Sequence, residues 1–241
     1  MRIYTMKEKM IRLCDYNKEV TEPPRYNKIP SLLKRDVRTG KFTTEFTKDI
    51  LKELYMKDYP MVVTEKIDGT NVRVYWDGYN FSIWGRKGAS EMPEGLLNYL
   101  EDKFSNYKME ALFEERFGDK PAVICGEGIG PKITEKYGSG EYGFIGFDIM
   151  YNGRYLNYEE CDKFFELINI TPVPFMGRDT IYNIIELITN LNGTMKSLLN
   201  RNIIAEGVVL KPDIELYDNL GNRAILKIKQ KDYQLKKQME E

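Results

Sequence analysis

Hydrophobic and polar positions change period repeatedly along this chain. Residues 44–58, TEFTKDILKELYMKD, carry apolar side chains near helical spacing and predict a helix. Three strand-like runs follow: MVVTEK (61–66), NVRVYW (71–76) and YNFSIWG (79–85). Asp77-Gly78 between the last two is a hairpin signal. Pro93 opens a helical stretch with Leu96, Leu97, Leu100 and Phe104 on one face. PAVICGEG (121–128) and YGFIGFDIMYN (142–152) read as buried strands, and helical patterns cover 158–168 and 180–199. IIAEGVVLKP and RAILKIKQ, at 203–212 and 223–230, are two further strands before a charged tail. The first 44 residues, with EPPRYNKIPSLLKRDVRTGKF, are punctuated by Pro-Pro and a charged turn and read as an N-terminal extension. Strands in groups, with helices between and after, predict an α+β domain with antiparallel sheets. A parallel doubly wound fold fits less well, because no Gly-rich phosphate loop follows the early strands.

Composition narrows the chemistry. The 241 residues are 42% hydrophobic and 30% charged, ordinary for a globular protein. No apolar run approaches a membrane span, and MRIYTMKEKM lacks a signal-peptide core. Cys14, Cys125 and Cys161 are odd in number and widely spaced, so a reducing cytoplasm is expected rather than a disulfide framework. There is no histidine, which excludes Ser-His-Asp and Cys-His triads and imidazole metal centres. Catalysis would have to run on Lys, Arg, carboxylates, backbone amides and a hard, oxygen-liganded metal such as Mg²⁺. The net charge of −1 gives no overall pull toward nucleic acid, though it allows a local basic groove.

Charges inside strand-like runs supply candidates. TEKIDGTN puts Glu65, Lys66 and Asp68 side by side between two apolar segments. Glu127 ends AVICGE, Glu206 opens EGVVLK with Lys211 at its end, and Arg86 follows FSIWG. Lys227 and Lys229 lie two residues apart, so they share one strand face. Each can be the solvent side of a sheet; together with Lys66 they suggest one polar concavity. A free lysine is neutral in only roughly one molecule in 2,500 at pH 7. Neighbouring cations such as Lys227, Lys229 and Mg²⁺ would raise that fraction and would also hold a triphosphate.

These motifs resemble the covalent nucleotidyltransferase superfamily of ATP-dependent polynucleotide ligases and capping enzymes, and within it the RNA ligase 2-type family of phages. EKIDGTN is similar to the nucleophile motif, with Lys66 the adenylated lysine, Glu65 before it and Asn71 five residues on. GRKGAS matches the segment supplying Arg86, GEGIGPKI that of Glu127, and FIGFDI that whose Phe147 stacks on adenine. AEGVVLKP supplies Glu206 and Lys211, and LKIK supplies Lys227 and Lys229. The ordered set runs over about residues 60–231, and YNKIPSLLKRD resembles the start of phage members.

The resemblance implies a nucleotidyltransferase (ATP-grasp-like ligase adenylation) domain over 45–241, with antiparallel sheets flanked by helices. Ligases and capping enzymes usually add a C-terminal domain; here the sequence stops about ten residues after LKIK, and no separate C-terminal domain is expected. It implies ATP as cofactor, with AMP covalently on Lys66 and then passed to a 5′-phosphate before joining to a 3′-hydroxyl. Mg²⁺ (or Mn²⁺) would sit beside Glu206. Lys227 and Lys229 would contact the α-phosphate, Glu127 the ribose, and Arg86 a phosphate; Glu65, Asn71 and Lys211 would complete nucleotide binding. The implied partner is RNA or a nicked duplex, in the host cytoplasm if the source is viral, with a separate substrate-binding partner as one route to a missing domain. Asp68 stands where some relatives have His. A capping enzyme would use GTP and carry Arg in place of Asn71, and DNA ligation is a near alternative. A different class is a non-catalytic nucleic-acid binder using the tail Lys227, Lys229, Lys231, Lys236 and Lys237 with Tyr233. Cys125, Trp84 and Tyr75 are expected to pack, and the LNGT sequon carries no meaning in a cytoplasmic chain.

Overall fold

The computed structural model describes residues 22–86, 92–134, 136–137 and 140–232. They form two compact units, one from 22–26 with Gly69–Pro172 and the other from Asn27–Asp68 with 173–232.

The first unit is built on a sheet ordered β5-β4-β6-β7-β8, with β9 beside β7. Its strands are β4 (Thr70–Trp76), β5 (Phe81–Gly85), β6 (Ala122–Ile129), β7 (Gly143–Tyr151), β8 (Arg154–Tyr155) and β9 (Thr171–Pro172). All pairings are antiparallel except β7 with β9. Val72, Val74, Trp76, Ile124 and Ile149 alternate onto one face, which buries against α2 (Glu94–Phe104), α3 (Tyr107–Phe117) and α4 (Tyr158–Leu167). Phe113 is fully buried and its ring meets those of Trp76, Phe81, Phe104, Phe117 and Phe164 at centroid distances of 4.7–6.4 Å. Asn106 accepts from Met109 N at the start of α3, and Asn157 with Glu160 forms a capping box at α4.

The second unit holds the sheet β10-β3-β11-β12, from β3 (Met61–Lys66), β10 (Phe175–Asp179), β11 (Gly207–Pro212) and β12 (Leu226–Lys229). A separate antiparallel pair joins β1 (Leu33–Arg35) to β2 (Phe42–Phe46). Met61, Val63, Val208, Leu210, Leu226 and Ile228 form the buried face. Against it lie α1 (Asp49–Met56), through Leu51 and Leu54, and α5 (Ile181–Asn190), whose Ile181, Ile184, Ile185 and Ile188 keep helical spacing.

The strands expected at 61–66, 71–76, 79–85, 121–128, 142–152, 203–212 and 223–230 are present as β3, β4, β5, β6, β7, β11 and β12, the last two beginning at Gly207 and Leu226, and the sheets are antiparallel as predicted. The helix expected over 180–199 stops at Asn190, followed by Asn192 and Gly193 with φ of 48° and 75°. β1, β2, β8, β9, β10 and α3 were not predicted. The shortest strands contain too few residues for a period to register. In α3, Met109, Phe113 and Phe117 do keep a spacing of four, diluted by surrounding charges.

Candidate active site

In the second unit, strand alternation sorts the side chains of β3, β11 and β12 onto two faces. One is the apolar core. The other carries Thr64 and Lys66, Gly207 and Val209, and Lys227 and Lys229. Gly207 pairs with Lys66 on one side and Lys229 on the other. A Cβ at Gly207 would lie 2.1 Å from the Ile228 carbonyl oxygen and 2.7 Å from Lys229 Cα, so only glycine fits between the two lysine strands. Glu206, just before β11, spans the gap. Its Oε2 accepts from Lys66 Nζ at 2.5 Å, and its Oε1 lies 2.6 Å from Lys229 Nζ. The Glu206 main chain is itself held, its carbonyl accepting from Gln230 N at 3.0 Å.

Lys227 is half-buried beside this pair. Burial chiefly, then the positive charges of Lys229, Lys66 and Lys28, push its pKa down to about 8, with Glu206 pulling the other way. One carboxylate facing three lysines makes this face an anion site: phosphate oxygens would compete with Glu206 for the same ammonium groups.

Lys211 lies four residues farther along β11 than Gly207. It is 4% exposed, with Nζ 3.9 Å from Glu215 Oε1, and Arg223 binds the same Glu215 carboxylate. Glu65 faces the core side of β3. Its carboxylate is 1% exposed, Oε2 accepts from Leu198 N at 2.7 Å, and Oε1 has no hydrogen-bond partner among the described residues. Any contact of Glu65 with a ligand on the Lys66 face therefore falls to its main chain.

The first unit holds the remaining candidates. Asn71 on β4 pairs in register with Glu127 on β6, on the face away from the core. A Cβ at Gly69 would sit 2.5 Å from the Gly128 carbonyl oxygen, so the glycine of the EKIDGTN turn permits the close approach of β4 to β6. The β6–β7 register shifts between Cys125↔Asp148 and Gly126↔Gly146, leaving Phe147 as the extra residue of a β-bulge. Arg86 is exposed at the end of β5, and the rest of GRKGAS, from 87 to 90, lies outside the described residues. So do Cys14, Tyr233, Lys236 and Lys237.

Two residues on this face escaped the sequence reading. Arg73 is 1% exposed, donating from Nη1 to the carbonyls of Pro23 and Pro24 at 2.9 and 3.1 Å, and from Nη2 to that of Gly85 at 2.9 Å. Asp148, 2% exposed, accepts from the Tyr26 hydroxyl at 2.6 Å. The signal was available: both are charges inside strand-like runs, the cue that singled out Lys227 and Lys229.

Among the described residues no three His, Cys, Asp or Glu side chains come together to hold a metal. Glu206 alone fits a Mg²⁺ that keeps phosphate and water ligands, since that ion is held through one or two carboxylates plus substrate phosphates.

A lysine bound to a carboxylate and flanked by two further lysines, on a sheet of an α+β protein, makes a lysine-centred anion site. The RNA ligase family model matches residues 59–229, and the chain belongs to that family. The structure is similar to a Naegleria gruberi RNA ligase with PPi (TM-score 0.60, 19% identity, 89% of this chain and 63% of that one). A mutant of that ligase with ATP and Mn gives a TM-score of 0.59 at 19% identity over 90% of this chain and 64% of that one. An archaeal ATP-dependent RNA ligase gives 0.56 at 22% identity over 88% of this chain and 50% of that one. The chain thus spans less than two thirds of the length of these relatives. Comparison with curated protein sequences gives no match. No helix among the described residues is long and apolar enough to cross a membrane.

Proposed function

We propose that this chain is an ATP-dependent RNA ligase whose adenylation domain, residues 45–241 behind an N-terminal extension, forms lysyl-AMP on Lys66. The observation that carries this reading is the Lys66–Glu206–Lys229 bridge on the polar face of β3, β11 and β12, in a chain of the RNA ligase family. Similar structures described with ATP and Mn support ATP and a divalent ion as the cofactors.

Lys66 Nζ must lose a proton before it can attack. Glu206 Oε2, already hydrogen-bonded to that nitrogen, is placed to accept it. The new bond joins Nζ to the α-phosphorus; the bond to the bridging oxygen breaks, and its electron pair leaves with pyrophosphate. Lys227 and Lys229 offset the charge on the transferring phosphoryl group. A divalent ion, held by Glu206 and the phosphates, would supply further charge neutralisation. Lys211, on β11 of the same unit, is assigned to nucleotide binding; in the other unit Phe147 is assigned to the adenine face, Glu127 to the ribose, Asn71 to nucleotide binding, and Arg86 to a phosphate. AMP then passes to a 5′-phosphate end of RNA, a 3′-hydroxyl attacks that end, and AMP departs. The setting is cytoplasmic, and a separate partner is a route to substrate binding.

The test uses ATP labelled at the α-phosphate, with Mg²⁺, and parallel GTP and NAD⁺. Acid-labile label from ATP alone, absent in Lys66→Ala, is the expected result. Label from GTP would replace the ligase with a capping-type enzyme. No label on folded protein that mass shows is not already adenylated would leave a nucleic-acid binder.

A further inference from the structure

The stretch 22–26 runs along the face of the first unit's sheet that is turned from the core. Four observations fix it there. The buried Arg73 guanidinium holds the Pro23 and Pro24 carbonyls and lies 3.5 Å from the Glu22 carboxylate. Pro23 is buried. The Tyr26 hydroxyl donates to buried Asp148 at 2.6 Å. The Tyr26 ring meets Phe147 with centroids 5.0 Å apart at 63°, edge to face, and Tyr155 at 6.0 Å and 88°.

Phe147 needs such a neighbour. As the extra residue of the bulge it sits where the β6–β7 register shifts, so its ring direction is not set by regular strand alternation. Tyr26 touches Phe147 by its ring and the next residue, Asp148, by its hydroxyl. We infer that Tyr26 is a positioning residue for nucleotide recognition: braced by Asp148 and delivered by the Arg73-anchored strap, it holds the Phe147 ring in the orientation that receives adenine. This rests on the assignment of Phe147 to adenine made above. A ring already fixed loses less rotamer freedom when the base arrives, so the brace acts on nucleotide affinity and not on the chemical step.

The expected effect follows from the aromatic pair, about two- to tenfold in binding. In the full chain, Tyr26→Leu should raise the KM for ATP in lysine adenylation by that factor with kcat nearly unchanged. It should also raise the ATP Kd equally in a Lys66→Met background, where no reaction occurs. Tyr26→Phe, which keeps the ring edge, should rescue most of the loss. Phe147→Leu should raise KM alone, and adding Tyr26→Leu to it should cost nothing further. An unchanged KM in Tyr26→Leu, a loss confined to kcat, or additivity with Phe147→Leu overturns the brace while leaving the ligase standing. Absence of both adenylation and ATP binding in the wild type removes the ligase reading and the brace with it. Should Tyr26→Leu fail to fold, fluorotyrosine at position 26 of the intact chain provides the second measurement. Its fluorine resonance shifts on ATP addition if Tyr26 lies against the adenine site, and an unmoved resonance overturns the inference.

Discussion

Replacing Glu206 by Gln removes one charge and almost no volume, and it strikes two contacts together. Oε2 loses its charge-assisted bond from Lys66 at 2.5 Å and Oε1 its contact with Lys229 at 2.6 Å. The three side chains are 18–29% exposed, between a surface pair and a buried one. A surface pair is worth about 0–1 kcal/mol, whereas stripping one partner from a buried pair costs about 3–5 kcal/mol. Two contacts sharing one carboxylate at this depth should therefore lose about 2 kcal/mol of stability at pH 7. The deficit is electrostatic, so it should shrink in high salt. Urea unfolding of wild type and Glu206→Gln at pH 7, with and without 1 M salt, reads this directly. On the proposed mechanism the adenylation rate should fall by about a hundredfold or more, because Glu206 is there both the proton acceptor of Lys66 and the carboxylate assigned to a divalent ion. A variant as stable as wild type at both salt concentrations would refute the energetic weight of the bridge. A variant that adenylates at the wild-type rate would refute Glu206 as the acceptor.

The Lys227 amine gives a pH signature of definite sign. Its folded pKa, near 8, lies below the ordinary 10.5, so its charge opposes folding at neutral pH and that penalty lifts as pH rises from about 8 to 10.5. Lys227→Met should thus be more stable than wild type at pH 7, and the gain should vanish by the upper end of that window in denaturant titrations. ATP binding, by restoring the ammonium form, should take up protons most strongly above pH 8, which calorimetry in buffers of different ionisation heat detects. Gly207→Ala should cost about 3 kcal/mol and abolish adenylation, because the methyl group would drive β11 from β12 and displace Lys229; wild-type melting behaviour would contradict this. Phe113→Ala should cost about 3–5 kcal/mol in the first unit, read by urea denaturation.

The Lys66 face was legible because it depends on alternation alone. Lys227 and Lys229, two apart, had to share a face, and EGVVLK put Glu206 at a strand entrance; the structure needed only antiparallel register to bring Lys66 beside them. Lys211 obeyed the same rule, yet lies farther along β11 beside Glu215, because strand distance is fixed by pairing that one segment cannot reveal. Glu65 and Lys66 show the rule's reach in one dipeptide: adjacent residues point to opposite faces, one into the core and one toward the bridge. What alternation cannot reach is a place where it is suspended. At Phe147 the register slips by one residue, and Phe147 and Asp148, neighbours in sequence, both meet Tyr26. The chain carries a trace of this in Gly146, where a Cβ would sit 2.7 Å from the Phe165 ring, so the residue before the bulge must be small for the sheet to close on α4. A buried Arg73 that spends its donors on the backbone of residues 23, 24 and 85 belongs to the same logic. A guanidinium taken out of water must find acceptors, and here the 22–26 strap supplies them. Removing that charge should therefore loosen Tyr26 as well as β4. Arg73→Met, which keeps the stem and loses the fork, should reproduce the KM increase of Tyr26→Leu without touching either aromatic ring, and an unchanged KM would separate the anchor from the brace.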